Sequence, residues 1–227
     1  MLAFAKLHAF SGCGRDEEAL PDSLVAHPST DLPIWRGEAR RVDKPDLGCR
    51  RTTLEHGTFS LRRLDPDRDL DLVHSWMNDP EVACFWKKAW QRDQIASYLR
   101  EQDRSTHSSP YLGELDGVPM SYWELYRADL DPLAKYYAAR EHDAGVHMLL
   151  GPAQCRGRGL AVDLLRTVST WQLEADPRAS RVIGEPDVEN ERVIRVGELA
   201  GFRRDMDIEL PDKRAALMIR DRSRHDS

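Results

Sequence analysis

The stretch Gly145-Val146-His147-Met148-Leu149-Leu150-Gly151-Pro152-Ala153-Gln154-Cys155-Arg156-Gly157-Arg158-Gly159-Leu160 decides the fold. Its first six residues read as a strand, and the apolar positions Val162, Leu164, Leu165, Val168 and Trp171 that follow have helical spacing. A strand that delivers the chain into Gln154-x-x-Gly157-x-Gly159 and then a helix is a phosphate-binding arrangement. Backbone N–H groups near a helix start point outward, and glycines without a Cβ let a pyrophosphate approach closely. Arg156 and Arg158 add fixed positive charge suited to phosphate. The same run also reads as a glycine turn that merely starts a helix. Two phosphate motifs are excluded: no Gly-Lys-Ser/Thr follows, and the dinucleotide spacing with its downstream acid is missing.

Working upstream, Phe59-Ser60-Leu61-Arg62-Arg63-Leu64 alternates as a half-buried strand. Asp65-Pro66 then supplies an N-cap and a first-turn proline, and the helix through Leu70, Leu72, Val73 and Trp76 is expected to stop at Asn78-Asp79-Pro80. A second helix is expected over 92–102. Strands over 110–115 and 120–126 flank Asp116-Gly117, a hairpin turn. Downstream, a strand over 181–185 leads into a helix over 190–200 that Gly201 closes, and strands near 203–210 and 215–220 complete the domain. The order β-α-α-β-β-β-α-β-α-β-β describes an α/β protein with a mixed sheet and helices on both faces. Residues 1–58 show no sustained period and are expected to form a largely disordered extension, with the domain over 59–222 and a short tail over 223–227.

The composition narrows the function classes. The chain has 227 residues, enough for one domain with a full core. A net charge of -6 without a basic, aromatic-interleaved cluster argues against nucleic-acid binding. Cys13, Cys49, Cys84 and Cys155 form no CxxC pair, so neither a metal site nor a disulfide framework is expected. No run approaches a membrane span, no secretory h-region forms after Met1, and the expected location is the cytoplasm.

The glycine loop together with the Asn190 helix that closes at Gly201-Phe202 resembles the GNAT superfamily of acyl-CoA N-acyltransferases. The resemblance implies a central, mostly antiparallel sheet whose two parallel strands splay to admit the cofactor, with flanking helices. It further implies that Gln154, Arg156, Gly157, Arg158, Gly159 and Leu160 bind the CoA pyrophosphate, that Asn190 lies beside the pantetheine arm, and that the Met148 and Leu149 backbone holds the thioester. Many family members carry a tyrosine acid on the Asn helix; here that position is Gly197. A narrower set is similar to the acyltransferases that build siderophore hydroxamates. It comprises Trp76-Met77-Asn78-Asp79-Pro80, Phe85-Trp86, Ser121-Tyr122-Trp123-Glu124-Leu125-Tyr126, Gly145-Val146-His147, Glu185-Pro186-Asp187 and Asp212-Lys213-Arg214-Ala215-Ala216-Leu217-Met218. That likeness implies His147 and Asp187 as the catalytic pair, acetyl-CoA or succinyl-CoA as cosubstrate with no permanently bound cofactor, and a hydroxylated amine as acceptor. N-hydroxycadaverine is the preferred acceptor, followed by N6-hydroxylysine and N5-hydroxyornithine.

The residues admit this chemistry. His147 projects to the sheet face opposite Val146 and Met148 and titrates near neutrality, as a base requires. It also reads as a satisfied structural histidine. Asp187 has three readings besides a helix cap: orienting His147, holding a cationic substrate end, or positioning the hydroxylamine. Trp86, Trp123 and Tyr126, with Tyr136 and Tyr137, would line an acceptor tunnel or simply pack. Glu124 would pair with a distal ammonium or face solvent. The rival readings are an acetyltransferase for protein lysines, N-termini or small amines, and a silent acyl-CoA-binding module. A homodimer is left open.

Overall fold

The computed structural model describes residues 44–222. One sheet of eight strands organises them, in the order β1-β2-β3-β4-β5-β6-β8-β7. The strands are β1 (Arg50–Leu54), β2 (Gly57–Arg63), β3 (Ser108–Leu115), β4 (Val118–Arg127), β5 (Ala144–Leu150), β6 (Arg181–Gly184), β7 (Arg203–Leu210) and β8 (Lys213–Asp221). Every neighbouring pair is antiparallel except β5 and β6. Those two pair only at Ala144↔Val182 and Gly145↔Ile183, after which β5 runs on alone to Leu150 on that side. The base of the fork is pinned by a buried ion pair in which Arg181 donates from Nε to Asp143 Oδ1 at 2.7 Å. The splayed parallel strands expected from the resemblance are therefore present.

Helices cover both faces. On one lie α1 (Leu70–Met77), α2 (Pro80–Trp86) and α3 (Arg92–Arg104), packed over Leu112, Tyr122 and Leu149. On the other lies α4 (Leu160–Ala175), over Val146, Met148 and Leu150, with α5 (Glu191–Leu199) beside it. The period-2 alternation along β5 sends its even-numbered residues beneath α4 and turns Gly145, His147 and Leu149 the other way. The Asp116-Gly117 turn has both residues at positive φ, +49° and +79°, as a two-residue hairpin of that twist demands.

Two expectations need correction. The domain begins upstream of Phe59: β1 and part of β2 precede that residue, and buried Leu47 donates its N–H to Tyr111 Oη at 2.7 Å. The remaining extension and the tail lie outside the described residues. The first helix starts at Leu70 rather than after Asp65, because Asp65 Oδ1 instead accepts the N–H groups of Asp67 and Arg68 in a local turn. The expected stop at Asn78-Asp79-Pro80 is present, α1 ending at Met77, and the same residues also start a helix: Asp79 Oδ1 accepts from the Glu81 N–H at 2.9 Å and caps α2, with Pro80 in its first turn. No helix among the described residues is long and apolar enough to cross a membrane.

Candidate active site

Three strands meet at His147. It stands on β5 directly opposite Glu124 of β4, and its Nδ1 lies 3.0 Å from Glu124 Oε2. Its Nε2 lies 2.5 Å from Oε1 of Glu185, the first residue past β6. The imidazole thus bridges two carboxylates on opposite flanks of its own strand. Phenols fill the remaining acceptor positions. Tyr98 from α3 and Tyr122 both donate to Glu124 Oε1, Tyr122 at 2.9 Å, and Tyr126 donates to Glu185 Oε2 at 2.9 Å. Lys213 donates to the Glu185 carbonyl at 2.5 Å. Gly145 makes this possible: a Cβ there would stand 2.2 Å from the Tyr126 ring, which lies 4.7 Å from the imidazole.

The cluster is dry. His147 and Glu124 are 0% exposed and Glu185 2%. Burial alone would lower the imidazole pKa; the Glu185 charge and the hydrogen bonds to Glu124 and Glu185 outweigh it, and the net shift is upward. Burial beside Glu124 pushes the Tyr98 and Tyr122 hydroxyls well above the usual phenol range, and burial near Glu185 does the same to Tyr126. The phenols therefore stay neutral donors. Two carboxylates and one imidazolium leave a net charge of about one negative unit, whichever member holds the shared proton. Such a group can accept one proton and return it.

The structure sorts the residues named from the sequence. Asp187 does not touch His147: its Oδ1 accepts the Glu189 N–H at 3.0 Å and its Oδ2 lies 3.5 Å from Lys87 Nζ. Glu185 holds the imidazole in its place. Glu124 neither faces solvent nor stands open to a distal ammonium, because it is sealed against His147. Trp123 points to the other face, in the core beneath α4, with its indole N–H on Ser121 Oγ at 2.9 Å, so it lines no acceptor tunnel. Trp86 and Tyr126 do stand over the imidazole. Tyr137 donates to Asp143 at 2.9 Å, and Tyr136 packs against the apolar cluster of Leu133, Ile183 and Ile208. Tyr98, Tyr122 and Glu185 carry no site role in the sequence reading, and Lys213 bonds the Glu185 carbonyl rather than standing in a solvent-facing turn. Glu185 was within reach of that reading, two residues before Asp187 in the same short motif.

The glycine loop fits a phosphate. Gly157 and Gly159 have φ of +74° and +79°, and nothing lies within 4 Å of a Cβ built on either, so the backbone there is open to a ligand. Gly159 enters α4 without a side-chain cap; the Val162 N–H bonds the Gly159 carbonyl, and no side chain competes with an anion for the first-turn N–H groups before it. A cleft of about 800 Å³ runs beside the loop and is also lined by Arg192 and Arg195 of α5. Gln154 and Arg158 are exposed. Arg156 is otherwise engaged. Its guanidinium bonds Asp79 Oδ2 at 2.9 Å, Glu81 Oε2 at 3.1 Å and the Leu150 carbonyl at 3.2 Å, and also the Gly151 carbonyl. It clamps the loop to the start of α2. Leu160, Met148 and Leu149 are buried, so any contact they make with a cosubstrate runs through the backbone. Asn190 caps α5, accepting the Val193 N–H at 3.4 Å. A Cβ at Gly197 would meet the Met218 methyl at 3.2 Å, so that position packs against β8.

Residues 65–210 match the family described as an acetyltransferase (GNAT) domain. The chain is 35% identical over 164 residues to the N(6)-hydroxylysine O-acetyltransferase of Escherichia coli, covering 72% of this chain and 52% of that protein. It therefore spans about half the length of that relative. It is 34% identical over 187 residues to the lysine N-acyltransferase MbtK of Mycobacterium sp. (strain MCS), covering 82% of this chain and 75% of that one. An uncharacterized protein from Bacillus halodurans superposes with a TM-score of 0.75 at 33% identity, over 80% of this chain and 93% of that chain. The aminoglycoside acetyltransferase AAC(6')-Ib in complex with coenzyme A and kanamycin gives 0.64 at 26% identity, over 74% and 99%.

Proposed function

Because the chain belongs to the GNAT acetyltransferase family, we propose that it transfers an acetyl or succinyl group from coenzyme A to the hydroxylated nitrogen of a small diamine or amino acid. The observation that carries this reading is the buried Glu124–His147–Glu185 cluster at the fork of β5 and β6, with an open glycine loop following β5 in the chain. The names of the relatives in Escherichia coli and Mycobacterium support an acceptor of the lysine or hydroxylysine type. Acyl-CoA supply fits a cytoplasmic location.

The steps follow from the cluster's charge. A hydroxylamine nitrogen is largely neutral at cellular pH and attacks the thioester carbonyl directly. The backbone N–H of Met148, which turns away from β4 toward the fork, would hold the developing oxyanion, whereas that of Leu149 turns to β4 as Gly151 N–H does to the Met120 carbonyl. The nitrogen's proton passes to the Glu124–His147–Glu185 cluster, which becomes neutral overall. Collapse breaks the C–S bond, and the thiolate takes the proton back from the cluster or from solvent. Position 197 offers no acid. The closed packing over His147 must part for the acceptor, and Trp86 at the end of α2 is part of that cover.

Steady-state assays of CoA release with acetyl-CoA and succinyl-CoA test the proposal. N-hydroxycadaverine, N6-hydroxylysine and N5-hydroxyornithine would be compared with their parent amines and with a lysine peptide. Turnover is expected on a hydroxylamine. Turnover on the peptide with none on any hydroxylamine would overturn the reading, and CoA binding without any turnover would mark a silent binding module.

A further inference from the structure

The indole Nε1 of Trp86 is a buried donor with no hydrogen-bond partner among the described residues. Buried indole N–H groups are ordinarily paired, because an unmet donor forfeits its hydration without return. The ring sits at the site itself, edge-on to His147 with centroids 6.4 Å apart and edge-on to Tyr122 at 5.9 Å. The carboxylate oxygens nearby do not serve it. Glu124 Oε1 takes Tyr98 and Tyr122, Glu124 Oε2 and Glu185 Oε1 take His147, and Glu185 Oε2 takes Tyr126. The indole N–H is thus a donor that a ligand oxygen can meet.

Position decides which ligand oxygen that is. Trp86 leans toward Tyr122 on β4, one flank of His147, whereas the fork that would receive the thioester opens on the other flank, between β5 and β6. We infer that Trp86 donates its indole N–H to the hydroxyl oxygen of the N-hydroxylated acceptor and so distinguishes a hydroxylamine from its parent amine. This rests on the acceptor class given under the proposed function. A site built around a substrate hydroxyl discriminates strongly against the analogue without it, since the donor is then left unmet in the complex.

The test is the ratio of kcat/KM for the hydroxylamine to that for its parent amine, in wild type and in Trp86→Phe. The ratio is expected to fall roughly 10- to 100-fold in the variant, with acyl-CoA binding by calorimetry as the check on folding. An equal loss on both acceptors, or no change, overturns the inference, because a packing role or a contact with the thioester would not distinguish them. Should the variant fail to fold, the indole N–H resonance of Trp86 in the wild type answers the same question. It is expected to move downfield when the hydroxylamine saturates the CoA complex and not when the parent amine does; identical shifts overturn the inference. A wild type inactive on every hydroxylamine would instead remove the functional reading itself.

Discussion

At the level of single residues, the site separates two acids that the sequence sets two positions apart. Glu185 touches the imidazole, while Asp187 serves a turn and a lysine. Glu185→Gln keeps the shape and loses the proton acceptor; kcat is expected to fall about 10²- to 10⁴-fold. Asp187→Asn is expected to cost less than a tenth of that, and parallel kinetics on the two variants would show the order. A larger effect at Asp187 would return the catalytic role to it. His147→Ala leaves two carboxylates buried without their shared cation, and such a broken pair typically costs about 3–5 kcal/mol. Urea unfolding near neutral pH would register it, with the midpoint recovering as acid protonates the carboxylates.

Among the elements, α2 and the glycine loop work as one piece. Arg156 reaches from the loop to Asp79 and Glu81, so a residue that looks like a phosphate ligand in sequence is a structural clamp, with its side chain 7% exposed. Arg156→Ala is expected to lower stability by about 1–3 kcal/mol. Arg158→Ala, at an exposed position, is expected to leave stability unchanged and to raise KM for acyl-CoA several-fold. Denaturant melts and cosubstrate titrations on the two variants separate the roles. The same element shows where sequence reading fails. Asp65-Pro66 and Asp79-Pro80 are identical start signals, and only the backbone distinguishes the one that makes a turn from the one that caps a helix. Strand β1 was invisible for another reason: as an edge strand of Arg, Arg, Thr, Thr and Leu it alternates exposed and half-buried polar residues, with no apolar period to read.

For the molecule as a whole, the legible part was whatever repeats with a period or turns on glycine. That covers the strands β2 to β8, the helices α3, α4 and α5, the hairpin at Asp116-Gly117 and the placement of His147 on the face away from α4. The illegible part was pairing between distant segments. Nothing in the sequence sets Glu124 opposite His147 across an intervening loop, or brings Tyr98 of α3 onto Glu124. The phenols that result have a consequence for the folded chain in base. Five of its six tyrosines, Tyr98, Tyr111, Tyr122, Tyr126 and Tyr137, are held above their ordinary pKa, burial being the largest cause for each. A raised phenol pKa contributes stability in full below the unfolded value near 10, and that contribution drains away as pH climbs toward the folded value. The unfolded chain can ionise where the folded one cannot, so alkali becomes a denaturant that acts through the site. In an alkaline titration followed by ultraviolet absorbance, most of the tyrosinate signal is expected in one steep step that coincides with loss of the circular dichroism. Gradual ionisation with the dichroism intact would show that these hydroxyls reach water in the native state. The protein would otherwise carry, in its own chromophores, an optical gauge of whether the packing of Tyr98, Tyr122 and Tyr126 around the buried acids is closed.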